Sequence, residues 1–256
     1  MNYIRSIILN FKLLGLKKFL KKFLSLYFKG LFLKIAKNKK IYLPENNKFN
    51  KIKLDMSYYY SELCELSKKF NTDKSPFNKN NFRHAYTPVY HFLFNKIKNK
   101  NLIIAEIGIL KNESIKLLRE YFKNSKIYGF DNEVVLLEKA KKDNLKDVFY
   151  NNIDIKNSKN INNVFQEIAE SFDIIIDDST HIFEDQIRII ENLNKFLKPG
   201  GTIIIEDIYD YYDEKKYYES LSKFKNDFSE IYFIEIEHRN IFTPIDNNNK
   251  ILIMEK

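Results

Sequence analysis

The sequence predicts an α/β protein built on a mostly parallel sheet, and two pairs of apolar runs support this prediction. The runs at 174–176 and 203–205 each end in two consecutive acids. The runs at 102–107 and 126–130 also lead into acidic or glycine positions. Continuous apolar runs of this kind are typical of strands that are buried on both faces. Each intervening segment is long enough for a crossover helix, so we expect parallel neighbouring strands.

The acids that end the two later runs should meet at one edge of the sheet. Asp177 and Asp178 follow the first run, and Glu206 and Asp207 follow the second. The carboxyl ends of neighbouring parallel strands lie side by side, and ligands bind at that edge of an open sheet. With His181 nearby, crowded carboxylates of this kind favour a divalent cation bound through oxygen. The alternative interpretation is that the acids only cap the helices that follow.

The first half of the predicted sheet has the order strand, glycine turn, helix, strand and acid. Glu106 and Gly108 end the first strand, and Asp131 ends the next. An acid about 20 residues past such a turn is typical of a site that accepts ribose hydroxyls. Asn112 stands at a later turn position, and Asn tolerates a positive φ better than most residues.

Together these features resemble the class I S-adenosylmethionine (SAM) methyltransferases. The resemblance implies a Rossmann-like, seven-stranded, mostly parallel sheet that is closed by a reversed C-terminal hairpin of 231–236 and 250–255 and preceded by a helical N-terminal extension. It also implies SAM as cofactor. The cofactor contacts that it implies in this sheet are Glu106, Gly108, Ser114, Asp131, Asp154 and Asp177.

A narrower resemblance links four segments to the metal-dependent O-methyltransferases that modify sugars of macrolides and bacterial glycans. These segments are Asn71-Thr-Asp-Lys74, His84-Ala-Tyr86, Asp177-Asp-Ser-Thr-His181 and Glu206-Asp207. The resemblance implies that Mg²⁺ or Mn²⁺ is bound by Asp178, Glu206 and Asp207. It makes His181 the catalytic base, and Asp178 would be the base if His181 were not. Further cofactor or substrate contacts that it implies are Thr72, Asp73 and Tyr86.

The sequence departs from the pattern of this family at three places. Asn71 and Asn112 stand where the family has glycine, and Ser179-Thr180 replaces Gly-Ser. The first two departures concern the shape of loops. The third keeps every chemical group that the implied mechanism needs.

The net charge of +9 belongs to the N-terminal segment. Residues 1–40 contain eleven Lys or Arg and no Asp or Glu, so the rest of the chain sums to −2. A protein that binds nucleic acid needs its basic patch at the working surface, which argues against a nucleic-acid partner. The single Cys64 cannot form an internal disulfide, and we expect it to be a buried apolar residue.

The basic N-terminal segment has the pattern of an amphipathic helix. Apolar residues recur every three to four positions from Leu13 to Leu31, and lysines occupy the opposite face. The segment carries too many charges to span a bilayer and lacks the cleavage site of a signal peptide. It would either pack on the enzyme or on a second subunit of a homo-oligomer, or lie on an anionic membrane surface. We favour packing.

Three regions follow from these patterns. Residues 1–57 are predicted to be the basic helix and a linker, the linker occupying 37–57. Residues 58–98 are predicted to form a helical cap or lid, and 99–256 the methyltransferase domain.

The sequence therefore predicts a cytoplasmic, SAM- and metal-dependent O-methyltransferase, peripheral to the inner face of the membrane if the helix lies there. The expected acceptor is a sugar hydroxyl, on a nucleotide-activated heptose or hexose or on a glycan of capsule or surface polysaccharide biosynthesis. The alternatives are a hydroxylase-like metal enzyme of related fold, a dinucleotide-dependent dehydrogenase, and a non-catalytic, membrane-associated partner protein.

Overall fold

The computed structural model describes residues 49–79, 82–243 and 248–256. In this part of the chain eight strands form one sheet, flanked by seven α-helices. The strands are β1 (Phe49–Asp55), β2 (Ile103–Ile107), β3 (Lys126–Asp131), β4 (Val148–Asn152), β5 (Phe172–Asp177), β6 (Leu197–Ile208), β7 (Glu230–Glu237) and β8 (Lys250–Glu255). The helices are α1 (Glu62–Phe70), α2 (Tyr86–Phe94), α3 (Glu113–Tyr121), α4 (Val134–Lys141), α5 (Ser158–Ile168), α6 (Phe183–Leu193) and α7 (Glu214–Leu221).

The strand order confirms a Rossmann-like sheet. The order is β1-β7-β8-β6-β5-β2-β3-β4, and β8 runs antiparallel to both of its neighbours. The other described pairs are parallel. The predicted reversed hairpin is therefore present as β7 and β8. The predicted number of strands, seven, is wrong, because β1 adds an eighth.

Strand β1 corrects the linker that the sequence predicts over 37–57. Residues 49–55 pair in parallel with β7 from Phe49 opposite Ile231 to Asp55 opposite Glu237. Ile52 and Leu54 pack against the core, while the two lysines between and before them are exposed. This alternation is that of an edge strand with one buried face. Residues 1–48, including the predicted amphipathic helix, lie outside the described residues.

Alternate residues of the central strands enter two hydrophobic layers. Ile174 and Ile204 belong to the layer that also contains residues of α1 to α4, whereas Ile175 and Ile203 belong to the layer with residues of α5 to α7. All four are at most 1% exposed. Because both faces are covered here, the segments 174–176 and 203–205 are apolar at every position, and the acids follow where the strands reach the edge.

Helices α1 and α2 lie within 58–98, the region that the sequence predicts to be helical. Leu63, Val89 and Phe94 share the first hydrophobic layer with residues of the sheet, and Cys64 on α1 is fully buried, as expected. In the part of the chain that the structure describes, no helix is long and apolar enough to cross a membrane.

Candidate active site

A cavity of about 470 Å³ lies at the carboxyl edge of the central strands. Its wall includes nine of the residues that the sequence assigns to the site: Thr72, Asp73, Gly108, Ser114, Asp131, Asp154, Asp178, His181 and Asp207. The other four, Tyr86, Glu106, Asp177 and Glu206, are buried to within 1% and do not contribute to this wall.

Gly108 allows the loop after β5 to cross directly over the end of β2. Its φ is +89°, and a Cβ built on it would lie 2.1 Å from the backbone oxygen of Asp178. A side chain at this position is therefore excluded by both the backbone conformation and the space. The close approach places Asp178 against the cavity.

We expect Gly108→Ala to lower the free energy of unfolding by about 2–5 kcal/mol, because it adds a clash to an unfavourable φ. Gly200→Ala is the matched control. Gly200 also has a positive φ of +76°, but nothing lies within 4 Å of a Cβ built there. That substitution should cost only about 1 kcal/mol. Urea unfolding of both variants measures the difference, and equal costs would contradict the close packing at Gly108.

Both asparagines that replace family glycines adopt the left-handed conformation. Asn71 ends α1 with φ 54°, and Asn112 precedes α3 with φ 66°. The Asn112 side chain is held from both sides, since it donates to Asp143 at 2.9 Å and accepts from the Tyr150 hydroxyl at 2.9 Å. The tolerance expected for Asn112 is thus confirmed, and the turn keeps the shape that glycine would allow.

The acid at the end of β3 is fixed by the backbone around it. Asp131 accepts hydrogen bonds from the amides of Ile109, at 3.0 Å, and Glu133, at 2.9 Å. On β2, Glu106 accepts from the hydroxyl of Ser114 at 2.6 Å. These contacts order one half of the cavity, the half that the sequence assigns to a ribose-bearing cofactor.

Asp178, His181 and Asp207 form the other half. One potential ligand atom from each lies within 4.8 Å of the others, and the Nε2 of His181 is 3.6 Å from Oδ2 of Asp207. His181 and Asp207 both have a positive φ, 59° and 55°. Such strain in residues other than glycine is concentrated at functional sites. An imidazole and two carboxylates at this separation suit a divalent cation or a proton transfer.

Glu206 is buried and does not contribute to the cavity wall. Its carboxylate accepts from the hydroxyl of Tyr90 and from the ammonium of Lys74. The structure therefore places Asp178, His181 and Asp207 in one group, and the ammonium of Lys74 links Glu206 to Asp178. The role of Glu206 as a metal ligand stays a prediction. The hydroxyl of Tyr86 donates to Asp207, and Tyr86 does not contribute to the cavity wall; its cofactor contact stays a prediction.

Lys74 is a buried cation at the centre of the acids. Only 3% of the residue is exposed, and its Nζ contacts Asp178 and Glu206 and lies 3.3 Å from Glu106. Burial lowers the pKa of Lys74, but the charges of Asp178, Glu206 and Glu106 outweigh it and hold that pKa well above its ordinary value. The ammonium therefore stays charged.

Asp177 supports the loop that carries Asp178. Its Oδ1 accepts from the hydroxyl of Ser179 at 2.6 Å and from the Ser179 amide at 3.2 Å. Burial raises the pKa of this carboxyl to about 6, against the effect of the Ser179 hydrogen bonds. The structure thus gives Asp177 a contact with the loop, and its cofactor contact stays a prediction.

Sequence reasoning assigned no role to Lys74 or Tyr90, although both contact the acids. For Lys74 a signal was present, because it ends the same Thr-Asp-Lys segment that supplies Thr72 and Asp73. A buried group of acids needs a counter-charge, and Lys74 could have been predicted to supply it. Tyr90 lies within an apolar helical pattern, and nothing in that pattern distinguishes it from a core residue.

A tyrosine-rich loop follows β6 next to His181. The rings of Tyr209 and Tyr211 stack with centroids 5.0 Å apart, and the ring of Tyr209 lies 6.5 Å from that of His181, edge to face. Tyr211 is 74% exposed. An exposed aromatic face beside polar groups suits a ligand that is apolar on one side and hydroxylated on the other.

Comparison with known proteins agrees with this geometry. The chain is 28% identical over 161 residues to mycinamicin VI 2''-O-methyltransferase of Micromonospora griseorubida, and the match covers 59% of this chain and 37% of that protein. It is 27% identical over 161 residues to demethylmacrocin O-methyltransferase of Streptomyces fradiae, with the same coverage of 59% and 37%. The matched region thus spans little more than a third of these curated relatives.

A solved structure supports the fold. The MycE methyltransferase of the mycinamycin biosynthetic pathway, in complex with Mg and SAH, superposes with a TM-score of 0.56 at 20% identity over 77% of this chain and 53% of that one. The sequence profile of methyltransferase domains matches residues 112–249. This is more than half of the chain, and the chain therefore belongs to the methyltransferase domain family.

Proposed function

We propose that the protein is a SAM-dependent O-methyltransferase that uses a divalent cation and methylates a sugar hydroxyl. The observation that carries the proposal is the placement of Asp178, His181 and Asp207 in the wall of the cavity that also contains Gly108 and Asp131. A methyl donor and a deprotonated acceptor would then meet at one edge of the sheet. The curated relatives named above are O-methyltransferases.

The chain's residues fit SAM. The cavity of about 470 Å³ is large enough for a nucleoside-sized ligand, and Gly108 lets the backbone approach it closely. Asp131 is oriented by two backbone amides to accept the ribose hydroxyls, and Asp154, on the same wall, would lie near the adenine. SAM supplies the electrophilic methyl group.

The chain's residues also fit one divalent cation. Asp178 and Asp207 offer carboxylate oxygens within 4.8 Å of each other, and Glu206, which precedes Asp207, is the third ligand that the family resemblance implies. His181 lies beside them, and its Nδ1 is buried without a hydrogen-bond partner among the described residues. A bound cation supplies Lewis acidity that lowers the pKa of an acceptor hydroxyl. We assign the base to His181, since Asp207 lies close enough to orient its imidazole. Histidine is the side chain most often used as a general base.

The surroundings favour a neutral glycoside as acceptor. The exposed Tyr211 offers an aromatic face to the apolar side of a sugar ring. A second cavity, of about 520 Å³, adjoins the same loop through Asp210. Its acidic lining residues are Asp55, Asp210, Glu235 and Glu237, and its basic one is Arg239. Such a surface should repel a diphosphate. The nucleotide-activated sugar of a capsule pathway is therefore the alternative acceptor, and a panel of acceptors separates it from the neutral glycoside.

The test is to incubate the protein with SAM, Mg²⁺ and matched acceptors: neutral glycosides, oligosaccharides and nucleoside-diphosphate sugars. We expect SAH release and a mass gain of one methyl group on a neutral glycoside. Methylation of a nucleotide sugar alone would retain the reaction and overturn the choice of acceptor. SAM binding without transfer to any hydroxyl would overturn the proposed function.

We expect Asp131→Ala to weaken SAM binding by about 1–3 kcal/mol, because a charge-assisted hydrogen bond to the ribose is lost. Calorimetric titration with SAM measures the change. Asp131→Asn is the isosteric comparison, because it keeps the shape of the side chain while it removes the charge. Its single carbonyl oxygen can accept from only one of the Ile109 and Glu133 amides, so it should also weaken SAM binding. Unchanged affinity in both variants would remove Asp131 from the cofactor site.

A further inference from the structure

The second cavity, of about 520 Å³, lies at the same edge of the sheet as the candidate active site. Strands β1 and β7 run in the same direction as β5 and β6, and their carboxyl ends form part of its wall. Asp55 ends β1, Glu237 ends β7, and Asn249 precedes β8. Because β1 extends the sheet beyond the seven predicted strands, the chain's own edge strand builds one side of this cavity.

The tyrosine-rich loop after β6 connects the two cavities. Asp207 lines the candidate active site, and Asp210 lines the second cavity. Three residues of chain span at most about 11 Å, so these two walls lie within the length of a disaccharide. The exposed ring of Tyr211 is on the same loop. A glycan with one hydroxyl at His181 is therefore long enough to reach the second cavity with its next residue.

Two polar groups in the residues that line the second cavity have no hydrogen-bond partner in the part of the chain that the structure describes. They are Nε2 of His238, a residue that is 7% exposed, and Oδ1 of Asn249. Nδ1 of His238 accepts from the amide of Asn240 at 3.0 Å, so the neutral ring carries its hydrogen on Nε2. Burial and the charge of Arg239 lower the pKa of His238, which favours this neutral ring. One donor and one acceptor thus lack the partners that buried polar groups normally have.

The acids of the second cavity are largely compensated by lysines. The ion pairs are Lys53 with Glu235 and Glu237, and Lys250 with Asp210. Compensated carboxylates still have lone pairs that accept hydrogen bonds from hydroxyls. Next to the cavity, the guanidinium of Arg239 lies 5.5 Å from the ring centroid of Tyr58, which is 90% exposed. Hydrogen-bonding groups beside an exposed aromatic ring suit an uncharged ligand with hydroxyls and an apolar face.

We propose that the second cavity binds an uncharged sugar residue, the one linked to the sugar whose hydroxyl is methylated. The inference rests on the proposed function and narrows its acceptor from a glycoside to a disaccharide or longer glycan. Hydroxyls of the second residue supply the partners that His238 and Asn249 lack. The cavity contributes binding and no chemistry, because its wall contains none of the residues assigned to methyl transfer.

The experiment compares SAH release from matched acceptors. They are methyl glycosides of glucose, galactose, mannose and rhamnose, and neutral disaccharides in which each of these sugars is the terminal residue. A further set of disaccharides has glucosamine as the second residue. Glu235→Tyr fills the cavity from β7, and His238→Phe removes the unpartnered donor. Glu230→Tyr is the matched control, since it makes the same change at the other end of β7, outside the cavity wall.

We expect the wild type and Glu230→Tyr to have a kcat/KM at least about tenfold higher for a neutral disaccharide than for its methyl glycoside. One or two additional hydrogen bonds provide a factor of this size. The difference should lie in KM, because the second residue binds equally in the ground state and the transition state. Glu235→Tyr and His238→Phe should lose the preference and keep the rate on the methyl glycoside. Glu235→Tyr decides if His238→Phe does not fold.

Three results would overturn the inference. The wild type could have the same kcat/KM for both members of every pair, or Glu235→Tyr could retain the preference for disaccharides. A preference confined to the glucosamine set would overturn the choice of an uncharged residue. A failure of the proposed function is distinguishable, because no acceptor is then methylated. Ligand-observed NMR then measures binding of the same disaccharides to the full chain. Weaker binding to Glu235→Tyr than to the wild type would support the cavity, and equal or absent binding would overturn it.

Discussion

Removal of the divalent cation should abolish methyl transfer, and Mg²⁺ or Mn²⁺ should restore it. The cation is proposed to lower the pKa of the acceptor hydroxyl and to position it, effects worth several kcal/mol in the transition state. At 1.36 kcal/mol for each tenfold change, EDTA should lower the rate by at least about 10³-fold. The measurement is SAH release by the wild type in EDTA and after titration with each metal.

Asp178→Asn should cause a similar loss of methyl transfer, because Asp178 is one of the carboxylates proposed to bind the metal. Some activity should return at high Mg²⁺ if the substitution damages affinity alone. Asp173→Asn is the matched control, since Asp173 lies on the same strand and pairs with Lys198 at 2.7 Å, outside the cavity. Full activity of the wild type in EDTA would contradict the metal in the proposed function, and the methyl transfer would then depend on the base alone.

Loss of the base should leave binding intact and remove turnover. We expect His181→Ala and His181→Asn to bind SAM and Mn²⁺ yet to turn over about 10²–10⁴-fold more slowly, the usual contribution of a general base. The Asn variant matters because position 181 has a φ of 59°, which Asn tolerates better than Ala. If both variants lose turnover to the same extent, the loss is due to the missing base and not to a distorted loop.

His84 is the internal control for His181. Its Nδ1 lies 3.5 Å from Asp207, but His84 is stacked on Tyr86 and does not contribute to the cavity wall. His84→Gln should therefore keep the rate within about tenfold of the wild type, the usual lower limit for a base being about 10²-fold. A near-normal rate in both His181 variants would transfer the role of base to a carboxylate, in the first instance Asp178.

The fold was largely predictable because its central strands carry a strong and simple signal. The runs that became β2, β3, β5 and β6 are apolar at nearly every position, and a strand covered on both faces requires this. The edge strand β1 was missed, since exposed lysines alternate with its apolar residues and a short alternating run resembles a polar linker. An edge strand needs only one buried face, so its composition distinguishes it weakly.

The candidate site was predictable to the extent that topology determines it. Acids at the ends of neighbouring parallel strands must share one edge, and Asp131, Asp178 and Asp207 do so. The partners that a carboxylate meets at this edge are not determined by its position at the strand end. Glu206 and Asp207 are consecutive, yet Glu206 turns inward to Tyr90 while Asp207 lines the cavity.

By itself the sequence determined the central strands, how they connect and which acids reach the active edge, because hydrophobic periodicity and chain connectivity are local properties. Only the tertiary structure decided how the charges are balanced. Lys74 is 104 residues from Asp178 and 132 from Glu206 along the chain, and its ammonium still contacts both. Electrostatic attraction acts through space and not along the sequence, so only the folded chain shows which acids this lysine neutralises.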